Sequence, residues 1–105
     1  MIDQPAILQA IYRAVDSINE QSDPEKQIVK AVETALYGAN SVLDSLRLVS
    51  LVVAVEREIE QESGVSLVLA SERAMSQRRS PFLSIGSLAE YIEQLLSETV
   101  PPQGQ

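Results

Sequence analysis

Residues 42–56, VLDSLRLVSLVVAVE, decide the fold, because they form the most apolar segment with helical spacing in the chain. The expected buried stripe recurs every three or four residues and consists of Leu48, Val52, Val55 and Ile59. A more polar stripe holds Arg47, Ser50, Ala54, Arg57 and Gln61. Asp44 is expected to cap the helix, with Ser45 at its first position, and Gly64 is expected to end it. The pattern predicts one amphipathic helix over about residues 44–62.

Two helical patterns precede this segment. Asp3, with Pro5 in the first turn, starts a predicted helix over about residues 5–20. Asp23 and Pro24 form the same combination of a cap and a first-turn proline. The pattern alone therefore predicts a second helix over about residues 24–35. Gly38 then opens a loop that leads to Asp44.

The segment after Gly64 is less regular. Ser71 could cap a short helix through Gln77. The last helix begins near Ser84 or near Ser87, since Ser87 and Glu90 fit a capping box. The apolar face of that helix consists of Leu88, Ile92, Leu95 and Leu96. The pattern as a whole is typical of a small all-α domain over residues 1–100, with a frayed tail at residues 101–105.

Composition excludes many functions. The sequence contains neither cysteine nor histidine, which excludes disulfides, cysteine nucleophiles, Ser-His-Asp triads and histidine-based zinc sites. Its net charge of −7 argues against nucleic acid as a partner. The longest apolar run, residues 51–55, is too short for membrane insertion, and a basic, apolar leader is not evident at the start. We expect a cytoplasmic monomer that is not an enzyme.

Ser45 is the main candidate site, with two interpretations. As a structural residue, it would help to satisfy free amides at the helix start. As an attachment point, its hydroxyl would face water, and a phosphate bonded to it would lie at the positive end of the helix dipole. Leu46 and Val53 lie seven residues apart on one side of the helix, either as peripheral core or as an apolar docking patch.

Two charged segments also have alternatives. One interpretation places Arg73, Arg78 and Arg79 in a solvated loop. In the other, these arginines contact a partner or a phosphate near Ser45. The four glutamates of residues 56–62 are expected to form a solvated helix end, and we expect no metal site there.

At Asp44-Ser45-Leu46 the sequence resembles the acyl carrier protein family. The family has Asp-Ser-Leu, then an apolar helix with Leu-Val in its middle, then an acidic end, and residues 44–59 follow that layout without a gap. Residues 34–46, TALYGANSVLDSL, resemble the loop before the modified serine. Residues 82–96, FLSIGSLAEYIEQLL, resemble the family's last helix. The similarity is weakest over residues 66–80.

The resemblance implies a four-helix bundle with a long loop before the helix that starts at Ser45. It implies that Ser45 carries 4′-phosphopantetheine, transferred from coenzyme A by a phosphopantetheinyl transferase, and that the arm holds acyl groups as thioesters. Asp44 would cap the helix and form part of the transferase's recognition signal. Further partners would be an acyl-activating ligase and an acyl transferase or synthase, with contacts through Leu46, Arg47 and Val53.

Three features depart from the family. Arg47 and Ser50 stand where family members often have acids, which indicates a specialised carrier outside ordinary fatty acid synthesis. The segment before the last helix is longer and more basic than usual. The helix predicted at 24–35 falls where the family has a loop, so helix and loop both remain open there. Two other functions are also open: a peptidyl carrier loaded with an amino acid, and a helical interaction module with an unmodified Ser45.

Overall fold

The computed structural model describes residues 3–36, 43–69 and 82–99, and within them the chain is all-α, as predicted. Three α-helices are present in these ranges: α1 at Gln4–Asn19, α2 at Ser45–Ser63 and α3 at Ile85–Thr99. A single 3₁₀ turn, Pro24–Lys26, follows α1. The described ranges contain no β-strand, and an isolated antiparallel bridge joins Ala35 to Ser84.

Helix α1 confirms the prediction at residues 5–20. Asp3 is its cap, with a side-chain oxygen that accepts from the Ala6 amide at 3.1 Å. Pro5 lies in the first turn, where the missing N–H costs nothing. One face of the helix is buried, and it consists of Ile7, Ala10, Ile11, Ala14 and Val15.

Helix α2 confirms the prediction at residues 44–62. Asp44 is its cap and has extended backbone angles. Gly64 ends the helix with φ at 75°, a left-handed conformation that suits glycine, and its amide donates to the Glu60 carbonyl at 2.8 Å. The face toward the core buries Leu51, Val52, Val55 and Ile59, with Leu48 partly buried against them. Leu51 was not part of the predicted stripe.

Helix α1 packs on both α2 and α3, around a core of isoleucine, leucine, valine and alanine with few aromatics. Arg13 on α1 reaches across to α2, where Nε lies 2.8 Å from Glu58 and Nη2 lies 2.9 Å from Glu62. The hydrogen bond to Glu58 is the main cause that raises the pKa of Arg13 above its usual value. These pairs are partly exposed, so each adds at most about 1 kcal/mol to the helix packing.

The predicted helix at 24–35 is wrong, because only the 3₁₀ turn at Pro24–Lys26 forms and Gln27 is already extended. Asn19 competes for the backbone that a helix would use. Its side chain accepts from the Ile28 amide at 2.7 Å and donates to the Ile28 carbonyl at 3.0 Å. The apolar residues therefore belong to an irregular segment, in which Ile28 and Leu36 are buried and Val29 is exposed.

Helix α3 begins after Ser84, so the alternative start at Ser87 with a Ser87–Glu90 capping box is wrong. The Ser84 amide donates to Ser87 Oγ at 2.9 Å, and the Ser87 amide donates to Ser84 Oγ at 3.1 Å. This reciprocal pair is a capping box in which serine replaces the usual glutamate. The predicted apolar face is confirmed, since Leu88, Ile92 and Leu96 are buried and Leu95 packs on the core.

The segment between α1 and α2 is fastened to the start of α3 by backbone hydrogen bonds. The Leu36 amide donates to the Leu83 carbonyl at 3.0 Å, and the Ile85 amide donates to the Thr34 carbonyl at 3.0 Å. The Gly86 amide donates to the Val32 carbonyl at 2.8 Å. The bonds from Ile85 and Gly86 satisfy amides in the first turn of α3 that no helical carbonyl can reach.

Several predictions lie outside the described residues. They are the short helix from Ser71 to Gln77, the segment with Arg73, Arg78 and Arg79, and the tail at 101–105. A four-helix count therefore stays a prediction. Among the described helices, none is both long and apolar enough to cross a bilayer.

Candidate functional site

The candidate site is the first turn of α2. Asp44 Oδ1 accepts from the Arg47 amide at 2.8 Å, and the Asp44 carbonyl accepts from the Leu48 amide at 2.9 Å. Ser45 is the first helical residue, as predicted, and lies between exposed Asp44 and exposed Leu46. This end of the helix carries the positive pole of the dipole, which favours a bound phosphate.

An apolar stripe lies exposed on α2 beside this turn. It consists of Leu46, Val49 and Val53, which are 76%, 58% and 46% exposed. The three residues are spaced by three and four positions, so they share one side of the helix. The exposure of Leu46 and Val53 contradicts the peripheral-core interpretation, and the docking role of the patch stays a prediction. We call these three residues the exposed stripe.

Val49 is a residue of the exposed stripe that the sequence analysis missed. It lies three positions after Leu46 and four before Val53, so helical spacing alone could have placed it on their side. Val49 lies within a nearly continuous apolar run, because a second apolar stripe on the same helix faces the core. The apolar character of the run alone therefore does not show to which of the two stripes Val49 belongs.

Around the exposed stripe, α2 carries few charges. Ser50 and Arg57 are exposed on the same helix. Three acids of the helix end have partners elsewhere: Glu56 accepts from the Leu69 amide at 2.8 Å, and Glu58 and Glu62 hold Arg13. Where the structure describes the chain, no cluster of acids could hold a metal ion.

Arg47 was predicted as a partner contact, and the structure places its side chain against the segment that follows α1. Its Nη2 donates to Ser22 Oγ at 2.6 Å and to the Lys26 carbonyl at 3.0 Å. The residue is half-buried. Arg47 thus joins two parts of the chain, while Leu46 and Val53 stay open to solvent.

No family model matches the chain, and neither a curated protein nor a solved structure shows significant similarity to it. The features that bear on function are therefore the geometry of the site and the residues that resemble a known motif.

Proposed function

We propose that this chain is an acyl carrier protein that bears 4′-phosphopantetheine on Ser45. The observation that carries the proposal is the position of Asp44-Ser45-Leu46. This tripeptide forms the cap and first turn of α2, with an exposed residue on each side of Ser45. The same motif buried within the core would have argued against attachment.

The residues around Ser45 fit such a group. A phosphodiester on the first residue of a helix lies near backbone amides that lack helical acceptors, at the positive end of the dipole. Asp44 occupies one of these amides, that of Arg47, and its carboxylate holds the turn in helical form. Leu46, exposed beside Ser45, gives the transferase an apolar surface to contact.

When bound, the group supplies a thiol on a flexible arm, which a chain without cysteine lacks. The protein's own task is to present that arm. Helix α2 is a rigid support because its opposite face is buried against α1. The exposed stripe offers partner enzymes a small apolar surface, and small interfaces suit transient binding.

The proposal includes the finer features that the family resemblance implies. The one on the fold is a fourth helix in the segment between α2 and α3. A cytoplasmic location and a monomeric state, expected from the sequence, are part of the proposal as well. The partners are a phosphopantetheinyl transferase, an acyl-activating ligase, and an acyl transferase or synthase. The chain itself catalyses no step, and an aminoacyl load in place of an acyl load would use the same site.

A second candidate function is a helical interaction module in which Ser45 stays unmodified. The exposed stripe favours it, because three neighbouring apolar side chains on one helix face suit a protein contact. The two candidates differ in one measurable property, which is covalent modification of Ser45.

The experiment is intact-mass measurement after incubation with coenzyme A and a broad-specificity phosphopantetheinyl transferase. We expect the mass of one phosphopantetheine group to be added to the wild type and none to be added to Ser45→Ala. Ser50→Ala is the matched control, since Ser50 is an exposed serine on the same helix. An unmodified wild type, or addition that persists in Ser45→Ala, would support the interaction module instead.

A further inference from the structure

The side chain of Arg47 connects the first turn of α2 to the segment that follows α1. Ser22 Oγ and the Lys26 carbonyl, which accept from its guanidinium, lie 25 and 21 residues earlier in the chain. An arginine has several donors in a fixed plane, so one guanidinium can hold two acceptors at once. Charge-assisted hydrogen bonds of this kind are stronger than neutral ones.

Both acceptors are themselves held in place. The Ser22 hydroxyl donates to the Ile18 carbonyl at 2.7 Å, which leaves its lone pairs for Arg47. Lys26 ends the 3₁₀ turn, and its amide donates to the Asp23 carbonyl at 2.9 Å. The next residue, Gln27, donates its side-chain amide to the Asn19 carbonyl at 2.9 Å. Arg47 is thus attached to a fixed part of the segment that follows α1.

The backbone of Arg47 is held at the same time. Its amide is the one that Asp44 caps, at 2.8 Å. Arg47 is therefore held twice. Its amide donates to the Asp44 cap, and its side chain joins the first turn of α2 to the segment that follows α1. The first turn of a helix frays readily, and a residue that is held by both its backbone amide and its side chain opposes this fraying.

We propose that Arg47 is a positioning residue for the modification of Ser45, an inference that rests on the proposed function. Its hydrogen bonds to Ser22 and to the Lys26 carbonyl keep Asp44, Ser45 and Leu46 in one helical turn for the transferase. Nη2 of Arg47 is directed toward the segment that follows α1, so we expect Arg47 to affect partner enzymes through the shape of this turn.

The test is a double-mutant cycle on the rate of transfer from coenzyme A. Ser22→Ala should lower kcat/KM of the transferase about three- to tenfold, the range for loss of one net hydrogen bond, and Arg47→Ala should lower it at least as much because it removes both bonds. The double variant should be no slower than Arg47→Ala, because both changes break the same connection. Ser22→Thr, which keeps the hydroxyl, should restore the rate.

Two controls separate positioning from other effects. Arg57→Ala removes an exposed arginine from the same helix and should leave the rate unchanged. Gly86→Ala, a destabilised variant at the start of α3, should also transfer at the wild-type rate while it is folded. A wild-type rate in Ser22→Ala beside a slow Arg47→Ala would overturn the proposal as stated, since the bond to Ser22 would then add nothing to the positioning of the turn.

A second measurement does not depend on modification. In the Ser45→Ala background, amide hydrogen exchange at Arg47 and Leu48 should quicken by a similar factor in Arg47→Ala and in Ser22→Ala, and less in Arg57→Ala. Unchanged exchange in both variants, with normal modification of the wild type, overturns the positioning role alone. A wild type that accepts no phosphopantetheine overturns the proposed function, even if the exchange rates show the connection.

Discussion

The backbone amide of Arg47 donates to Asp44 Oδ1 at 2.8 Å, so the carboxylate closes the first turn of α2 around Ser45. Replacement of such a cap by alanine costs about 1 kcal/mol, whereas asparagine caps about as well as aspartate. We expect Asp44→Ala to lower the free energy of unfolding by that amount in urea, and Asp44→Asn to change it by a few tenths.

The same pair of variants tests recognition by the transferase. Because the family resemblance makes the carboxylate part of the signal, Asp44→Asn should slow modification of Ser45 although it keeps the fold. The rate can be followed by intact mass over time. A wild-type rate in Asp44→Asn would show that only the cap matters, and the recognition role of Asp44 would be dropped.

Two leucines on α2 provide a matched test of the exposed stripe. Leu46 is 76% exposed, while Leu51 is fully buried in the core. Leu51→Ala should lower the free energy of unfolding by about 2–5 kcal/mol, whereas Leu46→Ala should stay within about 0.5 kcal/mol. Urea unfolding followed by circular dichroism measures both.

Leu46→Ala should nevertheless weaken the proposed contact with a phosphopantetheinyl transferase, seen as a higher KM in the modification reaction. Val49→Ala, from the same stripe, should act in the same direction. Equal KM values for the wild type and both variants would mean that the transferase does not use the exposed stripe.

Two glycines are required for different physical reasons. A Cβ added to Gly86 would lie 3.0 Å from the Val32 carbonyl oxygen, which also accepts from the Gly86 amide. A Cβ added to Gly64 would meet no atom within 4 Å, but the φ of 75° there strains most residues with a side chain. We expect either alanine variant to destabilise the protein by about 1 kcal/mol.

Asparagine distinguishes the two causes. It tolerates the left-handed conformation, so Gly64→Asn should recover part of the stability lost in Gly64→Ala. Gly86→Asn should recover none, because the steric conflict at Val32 remains. Thermal unfolding of the four variants checks this, and recovery at position 86 would show that the Val32 carbonyl can move.

Tyr91 is buried, and its hydroxyl has no hydrogen-bond partner among the described residues. A buried hydroxyl without a partner costs free energy, and phenylalanine keeps the ring in place. Tyr91→Phe should therefore leave the free energy of unfolding unchanged or raise it by up to about 1 kcal/mol. Urea midpoints for the two proteins provide the comparison, and a lower midpoint for phenylalanine would indicate a partner in the native protein.

The sequence was sufficient for features that depend on neighbouring residues. Helices α1 and α2 follow from their caps and from apolar periodicity, and the left-handed end at Gly64 follows from the glycine itself. Asp44 as cap and Ser45 as first helical residue were also predicted, because capping involves residues only three positions apart. These local rules act in the same way in any helical protein.

The tertiary structure decided features that depend on distant pairs. The apolar residues of 27–35 have helical spacing, yet the Asn19 side chain forms hydrogen bonds with both backbone groups of Ile28, and the segment is irregular. Periodicity places Leu46 and Val53 on one side of α2, but it does not show whether α1 covers that side. In the folded chain both residues are exposed. The side chain of Arg47 turns toward Ser22, 25 residues away, because only the folded chain brings those two groups within hydrogen-bonding distance.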